Sequence, residues 1–161
     1  MAILLYEHPL SPYAQKCKIA LAEKAVPFEL KMPAAIGTGH PDEAFLDANP
    51  RGEVPALIEG DVRLFDSTII LEYIEDRWPE PPLLPAGAYA RARARMIEEV
   101  MDTQYEAVTW AMGEVFWFKR AEGAEADALR ARAKAQLEGL HAWLTRQLGE
   151  GPWFNGAGFG W

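Results

Sequence analysis

Cysteine is nearly absent from this chain: Cys17 is the single one in 161 residues. No internal disulfide can form, and such usage fits a reducing, intracellular compartment. Histidine is scarce as well, and His8, His40 and His141 show no metal-ligand spacing with one another or with Cys17. No apolar run approaches the length of a membrane span. The start, MAILLYEHPLSPY, has neither a basic region nor a long apolar run, so it does not read as a signal peptide. Basic residues are in the minority, 16 Lys and Arg against 24 Asp and Glu, for a net charge of -8 at pH 7. That balance argues against nucleic acid and anionic membranes as main partners. An anionic small ligand would need local basic groups or helix N-termini.

What is present suffices for one domain, or one small domain plus part of another, since 50% of the residues are hydrophobic. Residues 2–6 form a short apolar run, consistent with a strand buried on both faces. A loop with Pro9 follows. Ser11-Pro12 then opens a helix, with serine as N-cap and proline at the first helical position. Tyr13, Cys17, Ala20 and Leu21 recur at helical spacing until Pro27 ends the helix. Phe28, Leu30 and Met32 alternate with Glu29 and Lys31, which predicts a half-buried strand. A glycine-containing loop and a short helical turn over 42–48 come next.

The stretch NPRGEVPALIEGDVRLFDS, residues 49–67, has the densest punctuation in the chain. Pro55 cannot donate to a sheet ladder, so it fits the first residue of a strand, and a cis bond after Val54 suits a tight turn. Glu59-Gly60-Asp61 turns the chain into a second strand over 62–65. Asp66 and Ser67 are N-cap candidates for the helix that follows. The order is strand, helix, strand, short helix, strand, strand, helix. It predicts an α/β layer with a mixed sheet whose last two strands are antiparallel.

Trp78 and WPEPPLLP then mark a linker over 78–88 between a first domain of residues 1–77 and a helical domain of residues 89–161. One apolar stripe runs from Ile97 to Phe116 and a second from Leu129 to Leu148, with Gly123 in the break. Two helices make a thin layer, and the ending from Trp153 to Trp161 is aromatic and glycine-rich. The helical domain therefore reads as incomplete in this chain, as in a piece of a longer protein.

Together these stretches resemble the glutathione transferase superfamily. The resemblance lies in LLYEHPLSPYAQKCKIALAEKAVPFEL, in NPRGEVPALIEGDVRLFDSTIILEYIEDRWP and, more loosely, in the later helices, and it looks most like bacterial members of the serine-type classes. It implies a thioredoxin-like N-terminal domain of order βαβαββα and an all-α second domain. It implies a cytoplasmic homodimer active in detoxification, with glutathione as co-substrate and no permanently bound cofactor. Ser11 matches the catalytic serine, whose hydroxyl donates to the glutathione sulfur. Val54 matches the residue whose backbone pairs with the cysteinyl unit, and Pro55 the cis proline. Asp66 and Ser67 match the pair holding the γ-glutamyl end, and His40 a residue near the glycine carboxylate. Glu53 departs from the pattern, because many members carry Lys or Gln there; Arg51 is the cation nearby.

Elementary energetics are consistent with that role for Ser11. Lowering a thiol pKa from ~8.5 by about two units requires roughly 2.7 kcal/mol. A hydrogen bond to a charged acceptor contributes ~1.5–3 kcal/mol and a helix N-terminus ~0.3–1 kcal/mol. No catalytic base is then required. An ordinary N-cap is the plain alternative for Ser11. Tyr6, at the end of the first strand, is the runner-up for the catalytic hydroxyl, though a strand-end tyrosine is more often core. Cys17 reads as a small buried hydrophobe. Tyr105 and Trp110 are candidates for an electrophile pocket or for ordinary packing. The expected activity is addition of glutathione thiolate to a small electrophile. The alternatives are glutathione-dependent isomerisation of the maleylacetoacetate type and a non-catalytic binding or scaffold role.

Overall fold

The computed structural model describes residues 2–34 and 43–160. The chain divides into two compact units, residues 1–82 and 83–161, and the division falls inside the proline-rich stretch.

The first unit is a four-stranded mixed sheet with helices. Its elements are β1 (Ile3–Tyr6), α1 (Pro12–Glu23), β2 (Phe28–Lys31), α2 (Glu43–Ala48), β3 (Ala56–Glu59), β4 (Val62–Phe65) and α3 (Ser67–Arg77). The expected βαβαββα order holds, because each boundary carries its own chemistry. Ser11 caps α1 with Pro12 at the first helical position. Asp66 caps α3. Gly60, with φ at +60°, closes the β3–β4 turn.

The strand order is β2-β1-β3-β4. β1 runs parallel to β2, antiparallel to β3, and β3 antiparallel to β4. Central β1 is buried along most of its length, as its unbroken apolar run requires. β2 differs from expectation: Leu30 and Met32 are exposed. The strand lies at the sheet edge, where among the described residues β1 is its neighbour.

One core cluster joins Tyr6, Phe45, Ala48 and Ala56, with Leu4, Val54, Ile58 and Phe65 packed against it. Another set of buried side chains lies along the helices: Ala14, Cys17, Ala20 and Leu21 of α1, and Ile70, Leu71 and Ile74 of α3. Lys24, at the end of α1, is also buried. Its ammonium meets Glu75 at 2.8 Å and donates to the carbonyls of Trp78 at 2.6 Å and Pro81 at 2.8 Å. Three partners use all three of its donors.

The second unit is helical. It contains α4 (Ala88–Val100), a π-helical turn (Met101–Tyr105), α5 (Glu106–Phe116) and α6 (Gly123–Leu148). The first apolar stripe, from Ile97 to Phe116, runs across α4, the π turn and α5. A π turn takes up an extra residue and rotates everything beyond it around the axis. Gly113 and Val115 of α5 are buried, while Phe116 is exposed. The second stripe is shallow: Ala126 and Ala133 are the buried residues of α6, and Leu129 is exposed. Gly149, with φ at +63°, ends α6. Arg93 of α4 donates to the carbonyl of Phe154 at 2.6 Å and to that of Gln147, holding the terminal segment. Trp153 and Phe159 meet edge to face there, 5.1 Å apart. Gly160 is backed so closely by the Leu83 carbonyl that a Cβ would collide with it.

Candidate active site

Three sequence-distant pieces come to one end of the strands of the first unit's sheet. The pairing of Tyr6 with Ala56, and of Ala56 with Phe65, aligns the end of β1, the start of β3 and the end of β4. The loop after β1 delivers Ser11. The residues before β3 are Val54-Pro55, joined by a cis peptide. The residues after β4 are Asp66 and Ser67.

Ser11 is half-buried at the start of α1, with φ -84° and ψ 111°. Its Oγ accepts the Ala14 N–H at 3.2 Å. That uses one acceptor site and leaves the hydroxyl proton to be donated elsewhere. The loop is braced from both sides. The Ser11 N–H donates to the His8 carbonyl at 2.9 Å, and the Leu10 N–H donates to His8 Nδ1 at 3.2 Å. Gln15 Nε2 donates to the Pro9 carbonyl at 3.0 Å. At the base, buried Glu7 pairs with Lys18 at 3.2 Å. Sequence reasoning did not find these bracing roles. Gln15 had a signal, since four residues after an N-cap a side chain can reach back over the helix start.

Tyr6 is elsewhere in kind. It is 2% exposed, its ring lies 5.0 Å from that of Phe45, and its hydroxyl accepts from Lys31 Nζ at 3.3 Å. The core thus takes the tyrosine, while the serine stays at the rim.

Val54 is half-buried against the Tyr6–Phe45 cluster. The turn leading to it depends on Asn49, which sequence reasoning also passed over. The Asn49 amide donates to the Glu53 carbonyl at 2.6 Å and accepts the Arg51 N–H at 2.9 Å. An asparagine accepting from the residue two positions on is the Asx-turn arrangement that Asn-Pro-Arg-Gly could have signalled.

Asp66 has φ 72° and ψ 122°, a conformation that costs a non-glycine residue about 1–3 kcal/mol and tends to occur at ligand clamps. Its Oδ1 accepts the N–H groups of Thr68 at 3.1 Å and Ile69 at 3.4 Å. Ser67 is buried, and its carbonyl receives the Cys17 thiol at 3.7 Å, tying α1 to the start of α3. His40 lies outside the described residues.

Tyr105 and Trp110 belong to the second unit. Tyr105 sits in the π turn, with its hydroxyl 3.1 Å from His141 Nε2. Trp110 is exposed on α5. Among the described residues, no group of three or more His, Cys, Asp or Glu side chains is arranged to hold a metal ion. No helix among them is long and apolar enough to cross a membrane.

Residues 5–82 match the family model of the glutathione S-transferase N-terminal domain. Among curated relatives, a stringent starvation protein A homologue of Coxiella burnetii is 39% identical over 93 residues, which are 58% of this chain and 43% of the relative. Glutathione S-transferase Z2 of Arabidopsis thaliana is 40% identical over 88 residues, 55% of this chain and 40% of the relative. The matches thus span less than half the length of these two curated relatives. A glutathione S-transferase of Methylobacterium radiotolerans, solved in complex with glutathione sulfonate, is 31% identical with a TM-score of 0.81, covering 99% of this chain and 73% of that one. This chain belongs to the glutathione S-transferase superfamily.

Proposed function

We propose that the chain acts as a glutathione transferase, with Ser11 stabilising the thiolate of glutathione for attack on a small electrophile. The observation that carries this reading is the strand register, which brings the end of β1, the start of β3 and the end of β4 together at one end of the sheet, next to Ser11, Val54-Pro55 and Asp66-Ser67 in the chain. In it, the Ser11 hydroxyl donates to the sulfur while its Oγ keeps the α1 cap. The first-turn N–H groups of α1 add a favourable field for the anion. The Val54 backbone pairs with the cysteinyl unit. Asp66, with Oδ1 occupied by the cap, offers its second oxygen to the γ-glutamyl ammonium. Tyr105 and Trp110 are the electrophile-side residues, and His40 serves the glycyl end. The same reading takes the enzyme as a cytoplasmic homodimer working in detoxification.

A second reading is a non-catalytic, partner-binding role, favoured by the stringent starvation protein homologues among the relatives. Retention on immobilised glutathione with turnover of an aryl halide supports the transferase. Retention with turnover of a cis-enone alone indicates an isomerase. Retention with neither activity favours the binding role, and no retention overturns the glutathione reading.

A further inference from the structure

We infer that His8 is a positioning residue for Ser11: its imidazole locks the turn that aims the Ser11 hydroxyl. The inference rests on the glutathione reading above and adds a residue which that reading does not use. Residues 8–11 form a tight turn, closed by the Ser11 N–H on the His8 carbonyl at 2.9 Å. Pro9 takes the second position, where its fixed φ fits. The first position of such turns often carries Asp, Asn or Ser, and an Asp or Asn side chain accepts from the backbone two residues on. His8 stands there instead, and its Nδ1 accepts the Leu10 N–H at 3.2 Å. Nδ1 is bonded to Cγ, as the Oδ1 of asparagine is, so the imidazole reaches the N–H that an asparagine would reach.

The Leu10 N–H and the Pro9 carbonyl belong to one peptide unit, the central one of the turn. Gln15 Nε2 donates to that carbonyl at 3.0 Å while His8 accepts from that N–H, so the peptide is clamped at both polar groups. Packing does not hold it, because Pro9 is exposed and Leu10 is 79% exposed. Rotation of the central peptide is what separates one turn type from another. The residue that leaves the turn is Ser11, whose Oγ must keep the Ala14 N–H at 3.2 Å and still aim its proton at the sulfur. Freeing one side of the clamp lets the entry to α1 reorient, and the directed hydrogen bond to the thiolate weakens with it. His8 thus acts through Ser11 and needs no contact with glutathione.

Two variants with opposite expectations test the idea, by ultraviolet titration of the thiol of bound glutathione in the whole chain. His8→Asn keeps the acceptor and loses the ring, whereas His8→Phe keeps a ring and loses the acceptor. In His8→Asn the bound thiol titrates with that of the unaltered chain. In His8→Phe it moves toward the free value by about half a unit to one unit, the size of one lost hydrogen bond, with glutathione affinity kept. In a Ser11→Ala background, His8→Phe adds no further shift. The reverse order, His8→Asn impaired and His8→Phe intact, makes His8 a packing residue and overturns the inference. Equal titrations in the two variants overturn it as well, as does a full further shift in the Ser11→Ala background. An unaltered chain that binds no glutathione, or whose bound thiol titrates at the free value, overturns the glutathione reading itself, and this inference with it.

Discussion

In residues 1–82 the buried apolar side chains are large and come from every layer: Ile3, Leu5 and Tyr6 from the sheet, Leu21 from α1, Phe45 from α2, and Ile70, Leu71 and Ile74 from α3. In residues 83–161 they are fewer and smaller. Leu83, Leu84, Ile97 and Val115 are joined by Ala94, Ala126 and Ala133, while Trp110, Phe116, Trp117 and Phe118 are exposed. A fully buried large side chain contributes ~1.5–3 kcal/mol, and an alanine much less. The difference teaches where rigidity resides. The first unit has a core capable of fixing the strand ends next to Ser11, Val54 and Asp66. The second unit is held more by single polar contacts, such as the Arg93 latch from α4 to the end of α6.

The comparison can be broken most forcefully at Lys24. Lys24→Met removes the ammonium from buried Glu75 and from two carbonyls. Breaking a buried pair from one side costs about 3–5 kcal/mol. Denaturant unfolding should show a loss of that size, and Glu75→Leu added to it should recover part. A loss below about 1 kcal/mol would mean that the first unit does not depend on this clamp.

A matched pair of deletions sharpens the contrast between units. Leu71→Ala, in the first core, should cost about 2–5 kcal/mol. Leu129→Ala, at a partly exposed position on the shallow stripe of α6, should cost less than about 1 kcal/mol. Hydrogen exchange assigns each loss to its unit. Equal losses would contradict the unequal cores.

A smaller effect comes from Tyr73, which donates to Glu59 Oε2 at 2.5 Å. That hydrogen bond, reinforced by burial and by the carboxylate's charge, raises the phenol above its usual value near 10. Folding therefore favours the protonated phenol. The resulting stability is complete below about pH 10 and is lost as pH rises through the raised value. Tyr73→Phe should cost about 0.5–1.5 kcal/mol at neutral pH and flatten the alkaline end of the stability profile. Identical alkaline profiles for the two proteins would sink the assignment.

The first unit was legible in the sequence because each turn carries a residue with one dominant use. Ser11-Pro12 starts a helix, Pro55 starts a strand, Gly60 closes a hairpin, and Asp66 caps α3. The second unit was less legible for a physical reason. Its π turn leaves no composition signal in MDTQY, and of the last two residues of the stripe Val115 is buried while Phe116 is exposed. Edge position was equally hidden, since nothing in Phe28–Lys31 itself says that β2 lies at the end of the strand order. At the candidate site, the sequence yielded the residues at element ends and missed those that brace them. Gln15 and Asn49 act through side chain to backbone bonds, whose partners are set only once the loop folds.

The most direct test titrates the thiol of bound glutathione by its ultraviolet thiolate absorbance, in the unaltered chain and in Ser11→Ala. If the Ser11 hydroxyl stabilises the anion, the bound thiol titrates about one to two units below the free value near 8.5 in the unaltered chain. In Ser11→Ala it moves back toward that value, with glutathione affinity largely kept. Turnover then falls most at neutral pH and recovers as pH rises. Tyr6→Phe leaves the titration in place. An unchanged titration in Ser11→Ala, with turnover abolished in Tyr6→Phe, would contradict the account and transfer the role to the buried tyrosine.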